Sequence, residues 1–189
     1  MAKGHFVRRS NMEPPMSETA RYDARTIMNH WIMAGLLAVT WLIPKLSGYL
    51  SQDMRGQARS VHIMIGVVLI VLLVARILWR STGGRQLPPA ELGLLGLASK
   101  AVHYGLYVLV AVTLALGVGY ELMRGDLLFG LAKIPLLLPV DAAFRRATRG
   151  YHELAANGIL ILAGLHGAAA LYHHFIRHDG VLRRMLRAA

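Results

Sequence analysis

Long apolar runs alternate with short polar segments along this chain. A helix needs about 20 apolar residues to cross the roughly 30 Å hydrocarbon layer of a membrane. Lys45 interrupts the first run, and Arg76 lies in the second, where a long side chain can extend to the membrane surface. The pattern predicts an all-α fold, a four-helix transmembrane bundle, with spans at residues 27–50, 61–79, 101–122 and 152–176.

The segments outside these runs predict a single membrane domain preceded by a tail. Residues 1–20 are polar and include Pro14 and Pro15, so we expect a disordered tail and no cleavable signal peptide. Residues 21–189 then form one four-span domain. The connection at 124–150 has an apolar middle that is too short to cross the membrane, and we expect it to lie on the outer surface with a short interfacial helix.

Composition supports a membrane protein and excludes some other classes. The chain is 55% hydrophobic and 16% charged, whereas a soluble domain has about a quarter of its residues charged. Its net charge of +11 could suggest nucleic acid, but the basic residues lie between and beside the apolar runs, so we expect a lipid bilayer and no nucleic-acid partner. The absence of cysteine from the sequence excludes disulfides and covalent haem attachment through a C-x-x-C-H motif.

The distribution of basic residues predicts the orientation of the bundle. Four spans place both termini on one side of the membrane, and that side carries thirteen of the 21 Lys and Arg residues, against eight on the other. Basic residues are more frequent on the cytoplasmic side, so both termini are predicted to be cytoplasmic. The outer side remains basic.

Histidines in the last apolar run are the first candidates for chemistry. His152 and His166 are 14 residues apart, which on a helix is about 21 Å of rise and a rotation only about 40° short of whole turns, so they share a face. Small residues between them, Ala156 and Ala163, leave room for a large flat group. Haem fits this description, because helix bundles supply axial imidazoles from facing helices. The alternative is that the small residues only pack helices and the histidines only form hydrogen bonds between helices.

Depth in the membrane suggests the partners of these histidines. Consecutive helices run in opposite directions, so His62, at the start of the second span, lies at the outer level of His152. His30 and His103 both begin spans on the cytoplasmic side, at the level of His166. Depth favours His30, which lies further into its span, but leaves His103 as an alternative.

Several segments together resemble the bacterial cytochrome b561 family, and within it the superoxide oxidase type. They are "RYDARTIMNHWIM", "VHIMIGVVLIVLLVARILWR", "AVHYGLYVLV" and "YHELAANGILILAGLHGAAALYHHF". The resemblance implies a protein of the bacterial inner membrane with two haems b and a ubiquinone site near the cytoplasmic surface. It implies that His30 and His166 ligate the inner haem, and that His62 and His152 ligate the outer haem.

Two histidines remain for the quinone. His103 and His173 lie near the cytoplasmic surface, where imidazoles can donate hydrogen bonds to quinone oxygens and supply protons. We therefore expect them to contact ubiquinone. The alternative is that they cap helix ends or meet lipid headgroups.

A basic cluster before the last span suggests the electron donor. A positive rim raises the encounter rate of an anion, and superoxide is such an anion. The same side chains could instead hold haem propionates or receive an acidic protein. The cluster consists of Arg124, Lys133, Arg145, Arg146 and Arg149.

Together these observations predict an oxidoreductase that transfers electrons from superoxide to ubiquinone through two haems. One alternative is a cytochrome b subunit that serves a partner dehydrogenase or hydrogenase. An alternative of another class is a haem-free proton-coupled transporter, in which the histidines relay protons.

Overall fold

The computed structural model describes residues 21–186, so the predicted tail at 1–20 lies outside the described residues. All four long helices are long and apolar enough to cross a membrane, which confirms the predicted fold class. They are α1 (Ala24–Leu46), α2 (Gln52–Thr82), α3 (Gly93–Leu122) and α4 (Ala142–Tyr172).

Side-chain caps fix where three of these helices begin. Asp23 accepts a hydrogen bond from Thr26 N before α1, and Ser51 does the same for α2. Asp141 accepts from Phe144 N before α4. Each of these oxygens satisfies a backbone N–H that the first turn of a helix leaves without a partner.

The connection between α3 and α4 differs from the expected surface helix. It contains a short antiparallel hairpin, β1 (Leu127–Leu128) and β2 (Ala132–Lys133). The helical part of the segment is the first turns of α4 itself, which begins at Ala142, ten residues before the predicted span. Asp141 sets this start because its side chain caps the helix there.

The hairpin is tied to α2 by a buried serine. Ser60 is 2% exposed, and its Oγ accepts a hydrogen bond from Phe129 N at 2.9 Å while donating to Gly56 O at 3.1 Å. Phe129 has a φ of 51°, an unusual value for a bulky residue. The bond from its N–H to Ser60 holds the hairpin turn against the bundle.

The bundle has a terminal end and a loop end. At the terminal end, Tyr22 N donates to Arg184 O at 3.2 Å and Trp31 Nε1 donates to Met185 O at 2.7 Å. The loop end carries the hairpin and the α1–α2 turn at Ser47–Tyr49. The described chain therefore starts and finishes at the same end.

A small apolar core joins the four helices midway between these ends. It is formed by Met33 from α1, Leu69 and Leu73 from α2, Val110 from α3 and Ile159 from α4. Within the bundle, α1 packs mainly on α2 and α3 mainly on α4. Many other apolar side chains are exposed, as expected for helices whose outer faces contact lipid.

Candidate functional site

Two groups of histidines lie inside the bundle, one toward each end. At the loop end, His62 of α2 faces His152 of α4, with ring centroids 6.1 Å apart and ring planes at 69°. At the terminal end, the ring centroids of His30 and His166 are 6.3 Å apart, with planes at 79°. The structure thus brings together both pairs that the sequence suggested.

Backbone carbonyls orient the two loop-end histidines. His62 Nδ1 lies 2.9 Å from Thr40 O and 3.0 Å from Thr40 Oγ1, and His152 Nδ1 lies 2.9 Å from Thr113 O. A carbonyl oxygen can only accept, so each Nδ1 carries the proton and each Nε2 keeps a free lone pair. An imidazole with this tautomer is prepared to ligate a metal through Nε2.

A glycine on α3 leaves room for one of these rings. A Cβ added at Gly117 would lie 3.2 Å from His152 Cε1 and 3.4 Å from its Nδ1, tighter than ordinary contact. A Cβ added at Gly119, two residues further along α3, would meet nothing within 4 Å. Gly117 therefore lets α3 approach α4 closely where His152 must turn its ring.

Both histidine pairs fit axial ligation of a haem iron. With about 2 Å for each metal–nitrogen bond, two imidazoles on opposite sides of one ion have ring centres about 6 Å apart. The separations of 6.1 and 6.3 Å match this spacing. Haem iron accepts histidine as an axial ligand, and no cysteine competes in this sequence.

A third histidine crowds the terminal-end pair. The ring centroids of His103 and His166 are 5.0 Å apart, with planes at 71°. This separation is about 1 Å shorter than the spacing of two imidazoles on one ion. His30 therefore fits better than His103 as the partner of His166, and His103 lies beside the pair.

Arg76 also belongs to the terminal-end group. The sequence suggested that its side chain reaches the membrane surface, but its Nε donates to Tyr107 Oη at 2.8 Å and its Nη1 to Thr26 O at 3.3 Å. Its charge is close enough to interact with His30, His103 and His166. An arginine within an apolar run was the signal that could have identified it.

His173 belongs to a different group at the terminal end. Its Nδ1 lies 2.5 Å from Asp179 Oδ2, and Arg177 pairs with both Asp179 and Glu91. Burial raises the pKa of Asp179, but hydrogen bonds from His173 and Val181 N and the nearby charge of Arg177 together bring it below its usual value. A left-handed residue, His178, with a φ of 53°, turns the chain so that Asp179 reaches back to His173.

Ligand atoms of Glu91, His173 and Asp179 lie within 4.8 Å of one another, an arrangement that could hold a metal ion. The guanidinium group of Arg177 already contacts both carboxylates and supplies the positive charge there. The group is therefore satisfied as an ion-pair network.

The five basic residues of the predicted donor cluster fall into two sets. Arg124 forms bonds within the protein, through Nε to Asp126 Oδ1 at 2.9 Å and through Nη1 to Tyr120 Oη at 3.2 Å. Among residues 21–186, no carboxylate lies within ion-pair distance of the other four, which are Lys133, Arg145, Arg146 and Arg149.

Asp126 connects the loop-end arginines to α2. Its second oxygen accepts from Arg59 Nη1 at 2.9 Å. Burial would raise the pKa of Asp126, but hydrogen bonds from Arg59 and Arg124 lower it overall. A cavity of about 430 Å³ lies beside this carboxylate and is also lined by Arg55. Arg55 and Arg59 were not among the predicted cluster. They lie at the start of α2, with Arg59 67 residues before Asp126, and nothing in the sequence indicates that the two segments meet.

Comparison with known proteins gives concordant matches. A family model described as prokaryotic cytochrome b561 matches residues 21–188. The chain is 28% identical over 170 residues to "Probable superoxide oxidase CybB" of Yersinia pestis, which covers 88% of this chain and 96% of that protein. It is 32% identical over 176 residues to "Cytochrome b561 homolog 2" of Escherichia coli (strain K12), covering 88% and 91% respectively. "Cytochrome b562" of Cereibacter sphaeroides is 25% identical over 181 residues, covering 91% of this chain and 99% of the relative.

Proposed function

This chain belongs to the prokaryotic cytochrome b561 family of membrane electron-transfer proteins, and from that premise we propose that it oxidises superoxide and reduces ubiquinone through two haems b. The observation that carries the proposal is the presence of two histidine pairs, one toward each end of the bundle, with ring separations of 6.1 and 6.3 Å. One carrier site toward each end gives electrons a route along the bundle.

We propose that four histidines ligate the haem irons. His62 and His152 would hold the outer haem at the loop end, and His30 and His166 would hold the inner haem at the terminal end. When bound, the haems would supply one-electron redox chemistry. The chain orients the imidazoles, through the carbonyls of Thr40 and Thr113 at the loop end.

Superoxide is the proposed donor at the loop end. Each superoxide gives up one electron and leaves as oxygen, so two superoxide ions are oxidised for each quinone reduced. The positive charges of Lys133, Arg145, Arg146 and Arg149 attract this anion, while Arg124 holds the connection to Asp126. The name of the Yersinia pestis relative, a probable superoxide oxidase at 28% identity, supports this donor.

Ubiquinone is the proposed acceptor at the terminal end. Its reduction takes two electrons and two protons, and we propose that His103 and His173 contact the ring and donate hydrogen bonds to its oxygens. The contact of Asp179 Oδ2 with His173 Nδ1 supports this role, because the carboxylate orients the ring and can pair with a doubly protonated imidazole. The Nε2–H of that form donates to a quinone oxygen. The positive-inside pattern supports a multi-pass protein of the bacterial inner membrane with the terminal end in the cytoplasm.

The decisive experiment supplies superoxide to the purified protein and follows haem reduction by absorbance. Superoxide should reduce the haems, superoxide dismutase should prevent this, and added ubiquinone-1 should return the haems to the oxidised state. A preparation without haem would instead support the proton-coupled transporter. Haems that superoxide reduces slowly, but a purified dehydrogenase or hydrogenase reduces rapidly, would contradict the proposed donor and support an electron-transfer subunit.

A further inference from the structure

A second cavity opens between α1 and α2 at the terminal end, on the side of the bundle that faces lipid. Its volume is about 260 Å³, and it is lined by Arg25, Asn29, Arg76, Trp79 and Arg80, among others. Arg25 lies in the first turn of α1 and Arg80 in the last turns of α2, so the cavity lies where the apolar spans meet the membrane surface. None of the residues that line this cavity is a proposed haem ligand or quinone contact.

Three guanidinium groups surround the cavity, and each contacts neutral groups. Arg25 stacks on the Trp79 ring at 4.7 Å, and Arg80 donates to Arg85 O at 2.8 Å and Gln86 Oε1 at 3.0 Å. Arg76 donates to a tyrosine hydroxyl and a backbone carbonyl. Among residues 21–186, none of the three arginines forms an ion pair with a carboxylate.

The nearest capping carboxylate offsets only part of this charge. Asp23 accepts hydrogen bonds from Thr26 N, Thr26 Oγ1, Trp79 Nε1 and Arg85 N, which occupy both of its oxygens. Its role is to cap α1 and fasten it to the end of α2. Three arginines against one carboxylate leave a net positive charge around the cavity, which favours an anionic occupant.

Asn29 closes the inner wall of the cavity. Its Nδ2 donates to Leu72 O at 3.2 Å, which ties α1 to α2 there.

The mouth of the cavity is apolar and faces the bilayer. Met28 is 60% exposed, and Ala75 is also exposed. An occupant with acyl chains can therefore enter from the membrane and leave its headgroup among the arginines. We propose that this cavity binds the headgroup of an anionic phospholipid, with the phosphate against Arg25 and Arg80.

Phosphatidylglycerol is the probe that matches this chemistry, because it is a phospholipid whose headgroup carries a net negative charge on its phosphate. Native mass spectrometry of delipidated protein should show that it binds more tightly than phosphatidylcholine, which is zwitterionic. It should also bind more tightly than inorganic phosphate, which lacks acyl chains. Equal binding of inorganic phosphate would overturn a lipid site, and displacement of phosphatidylglycerol by ubiquinone-1 would show a quinone site instead.

The matched variants separate the cavity from general surface charge. Arg25→Gln/Arg80→Gln should weaken phosphatidylglycerol binding about tenfold or more, since each cation near an anionic lipid contributes substantially. Lys100→Gln/Arg183→Gln removes two exposed charges from the same end but away from the cavity, and should leave binding nearly unchanged. Equal losses in the two variants would overturn the site.

A further variant keeps the test valid if the glutamine variant folds poorly. Arg25→Lys/Arg80→Lys preserves the charges and should retain most of the binding. A lysine variant that binds phosphatidylglycerol no better than phosphatidylcholine would contradict the electrostatic basis of the site.

Discussion

At the scale of single residues, the hydrogen bond on one imidazole nitrogen determines what the other nitrogen can do. Thr40 O and Thr113 O each accept a hydrogen bond from the Nδ1–H of a loop-end histidine. The free Nε2 of each ring is then the only nitrogen available to a metal. Because the acceptors are backbone carbonyls, substitution of the threonine side chains does not remove them, and the orientation depends on helix packing.

Gly117→Ala should disturb the outer haem without removing it. The added Cβ would lie 3.2 Å from His152 Cε1, so the ring must move by a few tenths of an ångström. We expect a changed electron paramagnetic resonance signal for one low-spin haem, with an unchanged haem content. Gly119→Ala is the control, because its Cβ meets nothing within 4 Å. Identical spectra for the two variants would contradict the close approach of α3 to His152.

Single histidine variants should each remove one haem of two. His62→Ala and His152→Ala should lose the outer haem, and His30→Ala and His166→Ala the inner haem, because an axial ligand is lost in each case. The measurement is haem per polypeptide by the pyridine haemochromogen assay. His103→Ala should keep both haems; if it loses one while His30→Ala does not, His103 is the ligand.

The spacing of residues in the sequence anticipated which histidines lie close together, but it did not anticipate contacts between helices. The 14-residue separation of His152 and His166 placed them on one helix face, and the structure brings each to a histidine of another helix. The bonds of Arg76 to Tyr107 and Thr26 cross between helices, and no local pattern encodes them. Sequence alone therefore treated Arg76 as a surface residue.

At the scale of elements, the connection between α3 and α4 depends on its contacts with the rest of the bundle. Its strands have two residues each, which is too short for a period-two pattern to appear in the sequence. Ser60 and Arg59 of α2 hold the hairpin through Phe129 and Asp126. The sequence predicted a surface segment there but could not give its structure.

Asp126→Asn should destabilise the loop end at neutral pH, and the loss should vanish in acid. The folded pKa of Asp126 is lowered, so its ionised form stabilises the fold above the unfolded pKa of about 3.9. That contribution is lost as the pH falls through the lower folded pKa. We expect the melting temperatures of wild type and variant to converge between about pH 4 and more acidic values. A constant difference between them would contradict an ionic role for Asp126.

At the scale of the whole molecule, hydropathy determines the architecture. Four long apolar runs leave few arrangements besides a helical bundle, because backbone polar groups must be paired inside a membrane. The same runs carry the family resemblance, which the family match confirms. The identity of the donor is not encoded this way, since a basic surface attracts a small anion, a propionate or an acidic protein.

Reversing charge at the loop end should slow the reaction with superoxide. Arg145→Glu/Arg146→Glu/Arg149→Glu replaces attraction of the anion with repulsion, so haem reduction by superoxide should be several-fold slower, with an unchanged haem spectrum. The difference should shrink as salt rises, because the Debye length at about 0.15 M is only about 8 Å. A shifted spectrum without salt dependence would indicate that these arginines hold haem propionates.

The control for this experiment makes the same change in net charge at the other end. Arg85, Lys100 and Arg183 are exposed at the terminal end, so their replacement by glutamate leaves the loop end intact. This triple variant should react with superoxide at the wild-type rate. An equal slowing in both triple variants would show that net charge, and not its location, controls the rate.

The bonds that close the terminal end also set an order of events in biosynthesis. Trp31 Nε1 reaches Met185 O across 154 residues of sequence, so this bond cannot form until nearly the whole described chain has been translated. Both histidine pairs draw a residue from α4, the last of the four long helices to be made. A nascent chain that stalls before α4 contains neither complete pair. If these pairs hold the haems as proposed, haem insertion at either site follows synthesis of this helix.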